Sequence, residues 1–287
     1  MKNLIRLLGL LLSIALVAAA CGSDSETTTD DADAADSTED AMEDDGEFLV
    51  DLEGRTISIA IENAYLPFNY IDAETGEPGG WDYAAIDDIC SRLNCVPDYQ
   101  TTDWDGMILA VSNGQFDVAA DGITITEERA EIVDFSDGYI NIDQRILVNT
   151  SNDEVTDKAS LAASDCMVAI QGGTTNEATA IDIVGAERLT YFDEFAFVIQ
   201  SVIVGDSCAT IIDETAGQGY VGENADDIVL VGESLSADQL GFVFPQGSDL
   251  VEPFNMAISA MKADGTMDAL GEEYFSGAFS ITYDDIE

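Results

Sequence analysis

The sequence predicts an α/β protein whose strands and helices alternate in layers with mostly parallel sheets. Three observations carry this prediction. Short runs show apolar residues at period two, as in Ile57, Ile59 and Ile61, separated by Ser58 and Ala60. Other apolar residues recur at helical spacing, as in Trp81, Ala85, Ile89 and Leu93. The alternation restarts at Met167 after a first set of elements. At 287 residues, 46% of them hydrophobic, the chain is too long for one small domain and suits two modest ones behind a leader.

The leader is residues 1–20. Lys2 and Arg6 make a positive start, and residues 7–20 are uncharged, largely apolar and short for a membrane span. Ala18, Ala19 and Ala20 precede Cys21, which marks a cleavage site. The segment resembles a bacterial lipoprotein signal, in which the cysteine after the small residues becomes acylated; Ala18 departs from the larger aliphatic preferred there. The alternative is an ordinary secretory signal. Residues 21–46 are, apart from Cys21 and Met42, Asp, Glu, Ser, Thr, Ala and Gly. They lack material for a core and read as a disordered tether.

The ordered part opens with a strand over Arg55–Ile61. A turn cluster at 72–80 leads into a helix from Trp81, ended by Asn94, Cys95 and Pro97. Trp104, Ile108 and Val111 mark a second helix, closed by Asn113 and Gly114. Residues 116–120 read as a strand, Asp121-Gly122 as a turn, and Thr126 as the cap of a helix over 127–132. Further strands are expected at 145–148, 167–170, 209–212 and 241–244. Further helices are expected from about Thr175, after the Gly172-Gly173 turn, and over 250–261. No short-period repeat is present.

The chain carries 58 acidic and 9 basic residues, a formal charge of −49. This argues against nucleic acid or an anionic membrane surface as a partner. It suits a solvated acidic surface in a salty medium, where screening limits self-repulsion. There is no histidine, which removes Ser-His-Asp and Cys-His catalysis. Without histidine or a CxxC pair, no metal site is expected. If Cys21 carries lipid, Cys90, Cys95, Cys166 and Cys208 remain, an even number in an oxidising compartment. Cys90 and Cys95 flank a helix end. Cys166 and Cys208 each precede a β-rich run and meet if those strands are neighbours.

Four segments suit one small zwitterion. In the first, residues 122–129, Thr124 offers a hydroxyl before a helix and Arg129 lies in its first turn. A helix N-terminus with a guanidinium is a carboxylate site; the alternative is a capped helix whose Arg pairs with a surface Glu. The second is Gln171-Gly-Gly-Thr-Thr-Asn-Glu177, where Thr174 and Thr175 present hydroxyls and N–H groups to an anion. It matches neither a Walker A nor a GxGxxG loop. An ordinary capped helix start explains it equally well. The third is Asp213, a carboxylate at the C-terminal end of a strand, placed to hold an ammonium group or to cap the next helix. The fourth is Glu62, Tyr65, Phe68 and Trp104, in which Tyr65 and Trp104 sandwich a ligand side chain or belong to the core.

In order along the chain, Tyr65-Leu-Pro-Phe, Gly80-Trp-Asp, Trp104-Asp-Gly-Met-Ile, Asn113-Gly-Gln-Phe-Asp-Val, Gly122-Ile-Thr-Ile-Thr-Glu-Glu-Arg, Val133-Asp-Phe-Ser-Asp-Gly-Tyr, Gly173-Thr-Thr, Gly205-Asp-Ser-Cys-Ala and Ala263-Asp-Gly-Thr resemble solute-binding protein family 3 of polar amino-acid ABC importers. The resemblance runs from about residue 55 to 277. It implies a type II periplasmic-binding-protein fold, two α/β lobes joined by two hinge strands. Lobe 1 is then 47–142 with 245–287, and lobe 2 is 143–244.

The resemblance implies that Thr124 and Arg129 take the α-carboxylate, aided by the backbone near Thr175. Asp213 and the Gly122 carbonyl take the α-ammonium. Tyr65 and Trp104 pack on the side chain, which faces Glu62. Gln171 and Thr174 complete the ligand-binding set. Gly122 stands where the family often has Ser, and Cys208 where it more usually has Asp. The expected protein is an exported receptor for a basic or polar amino acid, without cofactor, metal or catalytic residues. It would be a monomer held on the outer face of the cytoplasmic membrane by lipidated Cys21, with a permease and its ATPase as partners. Two other readings remain open here. One is a cyclohexadienyl-dehydratase-like enzyme using Glu62 and Asp213. The other is a sensory module, against which stands the end of the chain at Glu287 with no second membrane segment.

Overall fold

The computed structural model describes residues 48–72 and 75–275. The leader, Cys21 and the acidic stretch 22–46 lie outside the described residues. Among the described residues no helix is long and apolar enough to cross a membrane.

Two five-stranded sheets organise the chain. In the first, Arg55–Ile61 lies between Cys95–Thr101 and Val118–Ala119, parallel to both. Val243–Pro245 and Val133–Phe135 complete it in antiparallel pairings. In the second, Val168–Gln171 lies between Leu189–Phe192 and Ala209–Asp213, again parallel to both. Gln144–Asn149 pairs antiparallel with Ala209–Asp213 and with Ile228–Val231.

In each sheet four strands run one way, as expected of mostly parallel sheets, and one, Val243–Pro245 or Gln144–Asn149, runs against its two neighbours. The reason is the route of the chain. Parallel neighbours need a crossover connection. Gln144–Asn149 and Val243–Pro245 arrive straight from the other sheet, with no crossover helix. Between the sheets the chain runs through Ile140–Ile142 and returns through Asp238–Leu240, which pair with each other as an antiparallel ribbon. The result is two α/β lobes joined by two strands.

Local chemistry explains the elements that position the cleft. Ile57, Ile59 and Ile61 are fully buried, as are Trp81, Ala85, Ile86, Ile89 and Leu93 of the helix Trp81–Leu93. Each large apolar side chain so buried contributes about 1.5–3 kcal/mol. Gly80 begins that helix at φ 123, where an added Cβ would stand 2.3 Å from the Phe68 carbonyl oxygen. Only glycine fits there. Asn94 ends the helix in the left-handed conformation, φ 51. Its successor is not merely a terminator: Cys95–Thr101 is a strand. Pro97 is tolerated because this strand lies at the sheet edge, where no donor is required.

Other boundaries shift for identifiable reasons. The helix expected around Trp104 spans Met107–Ser112, behind Gly106 at φ 84. Trp104 therefore sits in the preceding loop. Thr126 caps its helix by accepting the Arg129 N–H, but the helix stops at Glu127–Ala130. The strand at 116–120 shortens to Val118–Ala119. The last expected helix runs Val251–Asp264 and is followed by another, Thr266–Tyr274.

Both cysteine pairs form disulfides. Cys90–Cys95 closes the end of the first helix, and Cys166–Cys208 spans 42 residues in the second lobe. The second pair meets because Val168 is in register with Ala209, so the residues preceding the two strands lie side by side.

Candidate ligand-binding site

The two lobes wall a small cavity between them. Its wall brings together the ten residues of the expected ligand-binding set, whereas Phe68, named beside them, is not in the lining and is fully buried in the core. Glu62, Tyr65, Trp104, Gly122, Thr124 and Arg129 come from the first lobe, and Gln171, Thr174, Thr175 and Asp213 from the second. Asp121, Asn176 and Phe195 also line it.

One end of the cavity suits an anion. Arg129 donates to the Thr124 carbonyl at 2.9 Å and to the Gly173 carbonyl, across the cleft, at 3.3 Å. Its guanidinium carbon lies 5.4 Å from the centre of the Trp104 ring, a cation–π contact. Burial lowers the Arg129 pKa from its ordinary value, yet a guanidinium stays charged. Opposite stands the N-terminus of the helix Thr175–Val184, capped by Thr174, whose hydroxyl accepts the Glu177 N–H. The Thr124 and Thr175 hydroxyls lie 3.3 Å apart across the cleft. Gln144 donates to the Thr175 hydroxyl at 3.0 Å, which orients it. A helix N-terminus, hydroxyls and a guanidinium together favour a carboxylate.

Asp213 is the second polar group of the wall, held from two sides. The Tyr65 hydroxyl donates to one of its oxygens at 2.7 Å, and the Asn176 amide to the other at 3.1 Å. Its side chain makes no cap bond to the helix Glu214–Glu223. Burial raises its pKa to about 6, opposed by the Tyr65 and Asn176 bonds. It remains ionised at neutral pH.

The third region is acidic. Glu62 accepts from the Gln171 amide across the cleft at 2.8 Å. Burial pushes its pKa up, and the neighbouring Asp121 carboxylate pushes it further. Asp121, 4% exposed, is raised by burial too, although the Asn69 amide donates to it at 2.6 Å. The same amide also donates to the buried Asp82 at 3.0 Å. Asn69 is held in this orientation because its own oxygen accepts the Asn63 N–H at 2.8 Å.

The sequence reading missed three lining residues. Asp121 was read as turn chemistry, yet it follows the strand Val118–Ala119 as Asp213 ends Ala209–Asp213. The rule that singled out Asp213 therefore applied to it. Asn176 lay within a recognised segment but was given no role. Phe195 carried no signal, since its place depends on the packing of the helix Phe195–Ile203. The departure at Gly122 has a physical cause. Its φ is 54, and an added Cβ would stand 3.0 Å from the Tyr65 ring.

Two α/β lobes on a two-strand ribbon, with a small polar cavity between them, define a two-lobed solute-binding protein. Residues 57–277 match the model of one such family. The chain belongs to the bacterial extracellular solute-binding proteins, family 3. Among its relatives, the L-cystine-binding protein TcyJ of Escherichia coli (strain K12) is 28% identical, the match covering 78% of this chain and 84% of that one. The L-cystine-binding protein TcyA of Bacillus subtilis (strain 168) is 25% identical over 96% of this chain and 98% of its own. An ancestral arginine-binding protein solved bound to arginine is similar in structure, with a TM-score of 0.71 and 32% identity, covering 77% of this chain and 98% of that one.

Proposed function

We propose that this chain is the extracytoplasmic receptor of an ABC importer, tethered through lipidated Cys21, that closes on a free amino acid with a basic or polar side chain and delivers it to the permease and its ATPase. In this reading residues 47–142 with 245–287 form one lobe and 143–244 the other. Arg129, Thr124 and Thr175 take the α-carboxylate, and Asp213 with the Gly122 carbonyl takes the α-ammonium. Tyr65 and Trp104 pack on the side chain.

The observation that carries the side-chain assignment is the charge of the cavity wall. Among the described residues three buried carboxylates, Glu62, Asp121 and Asp213, line it, and Arg129 is its one basic residue. After the α-carboxylate and α-ammonium are paired, Glu62 and Asp121 remain without a cation, and burial raises both, Glu62 to about 8 and Asp121 to about 7. A cationic side chain favours the ionised Glu62 and pairs with it, so a basic or donor-rich side chain is favoured, whereas an acidic one adds a further buried negative charge. Cystine, the ligand in the names of two relatives, would bring a second carboxylate with no second cation in the lining. Arginine, carried by the ancestral protein, would bring the missing positive charge.

Ligand capture in this scheme is closure about the hinge ribbon, with the bound ligand selecting the closed form. Direct bonds across the cleft from Tyr65 to Asp213 and from Gln171 to Glu62 support a closed arrangement. Calorimetric titration of the purified protein with the twenty amino acids and cystine tests the assignment. Tight glutamate binding with no response to arginine, lysine, histidine or glutamine would sink it. The same samples should leave prephenate and arogenate unchanged; turnover would establish the enzymatic reading instead. Cys21→Ser should move the exported protein from the membrane to the soluble fraction.

A further inference from the structure

A second, larger basin opens between the lobes beside the inner cavity. Glu62, Trp104 and Gln171 line both spaces. These three side chains therefore form the partition between them. Two bonds across the cleft hold it: Gln171 Nε2 donates to Glu62 Oε1 at 2.8 Å, and Trp104 Nε1 donates to the Gly172 carbonyl at 3.1 Å. The Gln171 amide also donates to the Asp193 carbonyl at 3.0 Å. One carboxamide thus ties the partition to the wall of the outer basin. That wall continues through Asp103, Asp105, Asp193 and Glu194, and among the described residues no Lys or Arg belongs to it.

We propose that the outer basin is a second subsite, which takes the distal cationic end of an elongated ligand side chain, and that the Glu62–Gln171 bridge is a gate set by side-chain length. The inference rests on the reading of the inner cavity as an amino-acid site. A short side chain ends inside the inner cavity and leaves the bridge intact. A longer one meets Glu62 with a charged donor in place of the neutral Gln171 amide. Charge-assisted hydrogen bonds are roughly twice as strong as neutral ones, so the ligand displaces the amide from Glu62. The Gln171 amide keeps its second acceptor, the Asp193 carbonyl, and is not stranded. A second positive charge further along then enters a basin lined by carboxylates, where the field of the wall favours it.

The test is calorimetry on the purified protein with ornithine, lysine, arginine and Nε-(4-aminobutyl)-lysine, a long dication. Nε-acetyl-lysine serves as the uncharged extended control. The dication should bind within about threefold of arginine or more tightly, and at least tenfold more tightly than the acetylated control. In the Asp105→Asn/Glu194→Gln double variant, checked for an unchanged melting temperature, the ratio of dication to ornithine affinity should fall at least fivefold. In Gln171→Ala the same ratio should rise. If arginine, lysine and ornithine all fail to bind, the reading of the inner cavity fails, and this inference with it. If they bind but the dication is at least tenfold weaker than arginine, the inner site stands and the second subsite is overturned. A dication-to-ornithine ratio unmoved by the double variant likewise overturns it, and the series on the unaltered protein decides even if a variant does not fold.

Discussion

The two lobes share a sheet plan and differ in what they bring to the cleft. In each, the central parallel strand and its neighbour end at the cavity: Glu62 follows Arg55–Ile61 where Gln171 ends Val168–Gln171, and Asp121 follows Val118–Ala119 where Asp213 ends Ala209–Asp213. The first matched pair is an acid facing an amide, and the two are bonded to each other. The second pair is two aspartates with unlike neighbours. Asp213 has Tyr65 and Asn176 as donors and feels the Arg129 charge. Asp121 shares one Asn69 amide with Asp82 and lies beside Glu62. Equivalent places on a common scaffold therefore carry different charge chemistry, set by the neighbours rather than by the sheet.

The largest expected effect breaks the first lobe's anion end. Removing one member of a buried charge pair costs about 2–5 kcal/mol. Arg129→Met should therefore weaken amino-acid binding by roughly 30-fold to several thousand-fold in calorimetry. Asp121→Asn should alter affinity less and shift its pH dependence, because Asp121 is assigned no α-group of the ligand.

The disulfides sharpen the comparison of stability. In the loop-closure account, Cys166–Cys208, spanning 42 residues, contributes about 4 kcal/mol. Cys90–Cys95, spanning 5, contributes about 2 kcal/mol. Paired Cys→Ser replacements should therefore lower the denaturation midpoint more in the second lobe than in the first.

Proton linkage distinguishes the lobes next. Burial and Asp121 raise Glu62 from 4.5 to about 8 in the ligand-free protein. A cationic side chain favours the ionised carboxylate, so binding releases a proton below that value. Affinity for arginine or lysine should rise with pH by up to about tenfold per unit and level off near 8. Glu62→Gln should flatten the profile. The stability of the free protein runs the other way. The folded state holds the Glu62 proton more tightly than the unfolded chain, so this group's contribution is full below pH 4.5 and is lost as pH rises to about 8. Glu62→Gln should accordingly raise the melting temperature of the free protein most at the alkaline end.

The smallest effect is expected at Gly122. Gly122→Ser places a side chain at positive φ, 3.0 Å from the Tyr65 ring. A modest loss of affinity, about tenfold or less, should result from the cost of a non-glycine residue at positive φ, with the fold retained by circular dichroism.

Much of this molecule is legible in its sequence because several signals are local. The alternation of Ile57, Ile59 and Ile61, the cap at Thr126, the left-handed end at Asn94 and the placement of Asp213 after a strand follow from period, capping and backbone chemistry within a few residues. The ordered series of motifs from Tyr65 to Ala263 also pointed to the family. The strand Cys95–Thr101 is hidden in the sequence because Pro97 reads as a terminator, and it is admitted only because the strand pairs on one side alone, with Arg55–Ile61, and so lies at the sheet edge. Trp104 reads as a helical residue in the sequence because its apolar spacing continues into Met107–Ser112, whereas Gly106 interrupts the backbone between them.

By itself the sequence determined which residue types were available: one arginine after a capped turn, strand-end acids, a hydroxyl-bearing helix start, and four cysteines beyond Cys21. Only the tertiary structure decided which of them meet. Gln171 finds Glu62, and Tyr65 finds Asp213, across separations of 109 and 148 residues. The ionisation of Asp121 likewise depends on burial beside Glu62 and on an amide shared with Asp82. Local signals act over a turn or two of chain, but hydrogen bonding and electrostatic fields act through space, and space is set by the packing of the two lobes.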